Sequence, residues 1–285
     1  MSYNNFIPTV WAEAINRELE RQHVFVADTN RQYEGSVSKA GDTVRILGVG
    51  KPTITTQVGT NVTLSTPETV PDSSVSMLID HVSYFNYMVD DIDKRQAVGG
   101  IMEALSKETS EALAQEMDVH VADLAKDKLA VKKSAASSET AVTTANILGY
   151  IDSCLEDLYK NDVAPNSEIT MTVPPWFYTK LKQAYIKLDT DNSGMLENGR
   201  VGKYGNVIVR MSNNVATSGT GANTISYIQL KTKRAIAFAK PMTHTEAYRP
   251  ETRFSDAVKG FVLYGSKIVR PKEMIVMNCK PGSES

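Results

Sequence analysis

The spacing of apolar residues changes period along the chain. In the first forty residues Trp11, Ile15 and Leu19 fall at i, i+4 and i+8, one face of a helix. Thr9 stands where an N-cap hydroxyl would accept a free backbone N–H. Glu13 and Arg17 make an i,i+4 pair in the favourable order. The pattern predicts a short helix in an arm, packed either on its own domain or on a neighbouring subunit, with polar turn residues Thr29 to Gly35 leading out of it. From Gly41 the period becomes two: Val44 and Ile46 alternate with Thr43 and Arg45, and Gly48, Gly50 and Pro52 mark a reversal. A second strand is predicted over Thr53 to Val58. Of the 41 residues from Ser36 to Ser76, 14 are Ser or Thr, and few large apolar side chains are left to bury. The segment reads as a long β-hairpin with two largely wet faces. Such a hairpin is marginal alone, so it needs support, and another chain could give it.

Strand spacing resumes at Val75 and runs through Ile79, Val82, Phe85, Tyr87 and Val89. The acidic run Asp90 to Asp93 then suits a helix N-terminus, where carboxylates meet the positive end of the dipole. Val98, Ile101, Leu105, Thr109, Leu113, Met117, Val121 and Leu124 follow at spacings of three and four. A helix over about 92–131 is predicted, roughly 60 Å long at 1.5 Å per residue, with Gly99 and Gly100 as a bend point. Ser134 to Thr144 reads as a loop and module boundary. Helices are predicted over Ala145 to Tyr159 and from Pro175 to Leu188, and strands over Glu168 to Val173, Val207 to Met211, Ile225 to Leu230, Ala235 to Phe238 and Gly260 to Asn278.

Composition narrows the function classes. The chain has 285 residues, 41% hydrophobic and 22% charged, which is ordinary globular usage. Its formal charge is −2, so no global basic field draws it to nucleic acid or an anionic membrane. The longest apolar runs are about five residues, against about 20 for a membrane-spanning helix. The opening M-S-Y-N-N-F-I-P lacks the basic-then-apolar order of a signal peptide. Cys154 and Cys279 make no disulfide framework, fit a reducing cytoplasm, and are predicted free in separate modules.

Candidate chemistry is sparse. Asp189, Asp191, Ser193 and Gly194 match the opening of a calcium loop, but Arg200 stands where a bidentate Glu belongs. His23, His81, His120 and His244 lie in different segments, none with a His or Cys at metal-ligand spacing; His120 reads as a surface or packing residue. Cys154 has no adjacent His to activate it. No nucleophile elbow, Walker loop or dinucleotide fingerprint is present. Trp176, Phe177 and Tyr178 read as core packing below a strand–helix turn. No catalytic residue, cofactor or metal ligand is predicted. What the pattern offers instead is an N-terminal arm, a polar hairpin and an over-long helix, parts that need neighbours.

Several segments, in this order, resemble the major capsid proteins of tailed phages with the Hong Kong phage shell fold, particularly the Salmonella-phage-coat-like branch. Thr29 to Gly35 followed by Gly41 to Ile46 resembles that family's passage from arm to extended hairpin loop. Tyr84 to Gln96 resembles its approach to the long spine helix, Gly199 to Val215 its axial-domain strand, and Ala235 to Pro271 its return to the peripheral domain. The resemblance implies an α+β fold: an N-terminal arm at 1–40, an extended β-hairpin loop at 41–75, a peripheral domain at 76–138 and 241–285 carrying the spine helix, and an axial domain at 139–240. It implies a structural, non-enzymatic subunit that self-assembles as hexamers and pentamers into an icosahedral head around double-stranded DNA. That head would be built in the bacterial host cytoplasm and would persist as the virion. Its implied partners are other copies of itself, the portal complex, packaged DNA contacted non-specifically and, as an optional addition, a decoration protein, with no membrane. Because the arm begins at the start Met, a scaffold would be a separate protein. Trp11, Arg17, Arg45, Lys51, Thr53 and Thr55 are the candidate intersubunit contacts. Some relatives crosslink through a hairpin Lys, but Lys51 has no assignable Glu partner and reads as a solvated side chain. The alternatives are another virion structural protein, such as a tail-tube subunit, or an enzyme with a dispersed site.

Overall fold

The structure, a computed structural model, describes residues 23–33, 43–49, 72–90, 101–132, 140–187, 202–221, 224–252 and 255–283, together with Ile54, Thr56 and Thr66. Mixed helices and sheets make the predicted α+β class. β1 (Thr43–Val49) and β2 (Asp72–Leu78) form an antiparallel ribbon from Thr43↔Leu78 to Val49↔Asp72. A second sheet runs β11 (Ile236–Tyr248), β12 (Ser255–Ile268), β3 (His81–Asp90). A third, mixed sheet has the order β4 (Val131–Lys132), β13 (Met274–Pro281), β10 (Ile225–Thr232), β6 (Ile169–Val173), β8 (Val207–Met211), β7 (Lys203–Tyr204). In addition β5 (Thr140–Val142) pairs with β13 and β9 (Thr217–Ser218) with β10. The helices are α1 (Ile101–Asp123), α2 (Ile147–Lys160) and α3 (Pro175–Lys187).

The third sheet owes its position to apolar strands. All five residues of β6 are buried, so this central strand shows no alternation, as expected where both faces are covered. The buried face of α2 is Ile147, Ile151, Cys154 and Leu158. In α3, Phe177, Leu181 and Ala184 point inward. Pro175 starts that helix, where a missing N–H leaves nothing unsatisfied. Trp176 donates its indole N–H to Ser226 Oγ at 3.3 Å, so the aromatic triplet packs as its pattern predicts. In α1, Leu113, Met117 and Val121 are buried one above another. Small residues Ala114 and Ala122 lie beside them, and α1 sits on β3, β12 and the single turn Val26–Asp28.

Several expectations change. The helix predicted over 92–131 ends at Asp123, a 3₁₀ turn covers Leu124–Lys126, and Val131–Lys132 is a strand parallel to β13. The cause is Asp127, whose backbone is extended (φ −60°, ψ 149°). Its Oδ1 accepts the Leu129 N–H at 3.1 Å, a local side-chain bond that competes with helix. The start of that prediction, 92–100, lies outside the described residues. Second, Val75 to Val89 is two strands in two different sheets, with Ile79 and Asp80 between them. Third, the predicted loop at 134–144 contains β5, and the strands predicted at Ala235–Phe238 and Gly260–Asn278 become the long β11, β12 and the separate β13. Fourth, the hairpin root is not wet on both faces: Val44, Ile46, Met77 and Ile79 are buried against Ala237, Ala239 and Leu263. Their partners are distant in sequence, which is why composition alone missed them. The boundary expected at 240 also runs through strand pairing, because β13 lies beside β10 in the sheet of the 139–240 segment.

Cys154 and Cys279 are buried, and neither forms a disulfide. Helix α2 and β13, placed in separate modules by the sequence, lie together. Burial, with the neighbouring Cys154 adding to it, pushes the Cys279 thiol far above its usual range. The folded protein should therefore resist thiol reagents, and titration under denaturing, non-reducing conditions should give two thiols. A count of zero would mean a bridge and contradict the reduced pair.

Candidate assembly surfaces

Three places among the described residues are candidates for contact with a neighbour. The first is the hairpin root. The ribbon approaches β12 closely because Gly265 has no side chain. A Cβ there would stand 2.5 Å from the Leu78 carbonyl oxygen and 3.0 Å from Ile79 Cα. Backbone atoms cannot swing aside as a side chain can, so Gly265→Ala should cost about 1–3 kcal/mol in a denaturant melt and loosen the ribbon. Gly149→Ala, on the exposed side of α2 with nothing within 4 Å of its added Cβ, should instead stabilise by about 0.5–1 kcal/mol. Equal effects at the two sites would contradict the close approach.

The second place is β3. Among the described residues it pairs only with β12 and is the edge strand of its sheet, and a free edge can be completed by another chain. Its outward face is largely apolar: Tyr84 is 81% exposed, Val82 51% and Met88 48%, with the exposed Asn86 between Tyr84 and Met88. Between β3 and α1 runs a groove of about 620 Å³, lined by Val82, Tyr84, Phe85 and Leu113, with Glu108 and Glu116 supplying charge.

The third place is the segment His23 to Asn30. Asp118 of α1 accepts the backbone N–H groups of Val24 at 2.7 Å and Val26 at 3.0 Å, and His23 Nδ1 lies 3.6 Å from the same carboxylate. Lys231, fully buried in β10, donates to the Asp28 carbonyl, and Arg210 Nε stands 2.9 Å from Asp28 Oδ2. Burial pulls the Lys231 ammonium down to about 8, against the attraction of Asp28. Burial also raises the Asp28 carboxyl, with Arg210 and Lys231 opposing the rise. Charged groups this deep are kept because they are paired. Asn30 then bridges to Ala237 through Asn30 N–H to Ile236 O at 2.9 Å and Phe238 N–H to Asn30 O at 3.0 Å. The chain leaving His23 toward the N-terminus therefore starts from a fixed point. Beside it Glu273 accepts from Thr232 Oγ1 at 2.5 Å and from Arg270 at 2.8 Å. Burial pushes that carboxyl up, but these two bonds and Arg234 outweigh it and hold it below the usual range.

Among the described residues no group of three or more His, Cys, Asp or Glu could hold a metal ion, and no helix is long and apolar enough to cross a membrane. No protein-family model and no curated protein matches the chain. Solved structures do, nearly end to end. A chain of Mycobacterium phage Che8 superposes with a TM-score of 0.74 at 28% identity, covering 92% of this chain and 93% of that one. The capsid of the cyanophage P-SCSP1u gives 0.70 at 18% identity, covering 91% and 89%. The mature capsid of bacteriophage PhiM1 gives 0.66 at 18%, covering 90% and 87%. The chain has the tailed-phage capsid fold.

In this capsid fold the sequence-predicted contacts fall unevenly. Arg45 is exposed on β1. Trp11, Arg17, Lys51, Thr53 and Thr55 lie outside the described residues, as do the calcium-like loop and most of the second hairpin strand; Ile54 and Thr56 between them are exposed. Sequence reading missed the β3 edge. Its signal was the outward alternation Val82, Tyr84, Met88 on a strand whose inward residues, Phe85 and Tyr87, already supplied a face. It also missed the clamp at the arm root, because nothing in the local pattern marks Asp118 or Lys231 as partners of residues some hundred or two hundred positions away.

Proposed function

We propose that this chain is the shell-forming subunit of a tailed-phage head, assembling as hexamers and pentamers around double-stranded DNA. One observation supports this reading above the others: at least nine-tenths of the chain follows phage capsid structures without an inserted or missing domain of its own size. In this reading residues 1–40 and 41–75 are the arm and hairpin loop that reach neighbours. Helix α1 with the β11–β12–β3 sheet is the peripheral domain, and the sheet around β6 and β10 is the axial domain. Trp11, Arg17, Arg45, Lys51, Thr53 and Thr55 are intersubunit contacts, and the β3 edge with its groove is the body's receiving surface. A separate scaffold, a portal, the packaged DNA and a decoration protein are the expected partners. The work is mechanical: many modest symmetric contacts sum over a closed surface, and a chain of net charge −2 does not hold DNA fast to its wall. Velocity sedimentation of the expressed chain, alone and with its co-expressed morphogenetic proteins, tests this. Particles of megadalton size support the reading; a monomer in every condition, or open rods, overturns it.

A further inference from the structure

Two of the four histidines meet in space. His81 is the first residue of β3, directly after the two residues that carry the chain out of the hairpin ribbon. His120 is in the last turn of α1. Their ring centroids are 4.0 Å apart, tilted 48°. Tyr264 of β12, the register partner of His81, packs edge-on to His120 at 5.4 Å and lies 5.8 Å from His81. Its hydroxyl is 3.2 Å from Ser83 Oγ. The next residue, Gly265, is the point where the hairpin root presses on β12. Three elements thus converge on one imidazole pair: the exit of the hairpin, the end of the long helix and the strand beneath both.

The polar accounting of the pair is lopsided. Asp80 Oδ1 lies 2.7 Å from His81 Nδ1, and the His81 side chain is half exposed. His120 Nε2 is buried with no hydrogen-bond partner. A ring chosen only for packing would carry no such nitrogen. The groups facing His120 are His81 and Asp80 from the turn, Asp123 from its own helix and Tyr264 from β12. Asp80, Asp123 and the C-terminal end of the α1 dipole favour a proton there; burial and His81 oppose it. Burial is the larger effect and pulls His120 down to about 4, with His81 adding to the fall. At neutral pH the ring is therefore uncharged and the stack is stable.

We propose that the His81–His120 pair is an acid-releasable latch that ties the root of the hairpin to the end of the long helix. When His120 takes a proton, a charge is placed in a partly buried site against a second imidazole, and lifting the turn Ile79–Asp80 away from α1 hydrates it. The sign follows from linkage. The released form binds the proton near the ordinary value of 6.5 and the latched form only near 4. The latch is therefore complete above about pH 6.5 and weakens about tenfold per pH unit between there and 4.

The latch is a property of the single subunit and stands apart from shell formation, so it is tested on the dispersed full-length chain. Hydrogen exchange is followed from pH 7.5 to 4.5, corrected for the intrinsic chemical rate, in peptides covering 77–85 and, for comparison, 169–173. Wild type should lose protection at 77–85 by up to about a hundredfold between pH 6.5 and 4.5 while β6 stays protected. His120→Phe, which keeps an aromatic ring and takes no proton, should stay protected throughout. Equal acid loosening in His120→Phe, or no loosening in wild type, overturns the proposal. Should His120→Phe fold poorly, carbon-13 imidazole titration of the wild type decides. A His120 midpoint well below 6.5 that tracks the opening of 77–85 supports the latch; a midpoint at the ordinary value overturns it.

Discussion

Joining Val49 directly to Asp72 through an Asn-Gly turn, and so removing 50–71, is expected to abolish shells while barely changing the subunit's melting temperature. Val49 and Asp72 are register partners at the end of the β1–β2 ladder, so a two-residue turn closes the shortened ribbon in a geometry antiparallel strands accept. The residues that anchor the ribbon, Val44, Ile46, Met77 and Ile79, are all kept. The segment removed is Ser/Thr-rich with few large apolar residues, so little buried apolar area is lost within the subunit. A change of about 1 kcal/mol would move the melting temperature by only about 2–4 °C in a chain of this size. Contacts to neighbours would be lost outright. Calorimetry and particle counts on one preparation check both halves. A variant that fails to fold would put 50–71 in the subunit's own core, and a variant that still closes normal shells would make the loop dispensable.

Met117→Asp should have the largest effect on the subunit itself, destabilising it by about 4 kcal/mol or more. Met117 is fully buried in α1, between Leu113 and Val121, so a carboxylate placed there would lose its water. Gln115→Asp, two residues away on the exposed side of the same helix, should stay within about 0.5 kcal/mol of wild type. Urea melts of the pair check the orientation of the helix, and a normally melting Met117→Asp would contradict it.

These two variants also show where sequence was informative. The inward face of α1, the strand at Val207–Met211 and the helix opening at Pro175 were legible because each is written locally, as a period of apolar residues or a proline at a first turn. The end of α1 was less so: the apolar spacing runs on to Leu124, and a single side-chain bond from Asp127 stops the helix. The hairpin was legible in its outer bounds but not in its pairing: β1 pairs antiparallel with Asp72–Leu78, and Gly48, read as the start of a reversal, lies inside β1. Its core face was not legible either, because it exists only against Ala237, Ala239 and Leu263. The same holds for the assembly surfaces. The exposure of Arg45 could be read from alternation, whereas the edge position of β3 depends on which strand pairs with β12. The clamp of Asp118, Lys231 and Arg210 around residues 24–28 depends on three elements meeting. Local patterns predict elements; partners far apart in sequence are fixed by topology.

The central claim is that this chain builds a closed shell, and cryo-electron microscopy of particles from cells expressing it with its neighbouring morphogenetic proteins tests that most directly. The account predicts icosahedral particles whose density is fitted by this fold in hexamers and pentamers, with the 50–71 segment of each subunit lying on another copy. Helical tubes alone, or a discrete soluble monomer with the β3 edge covered by its own arm, would contradict it.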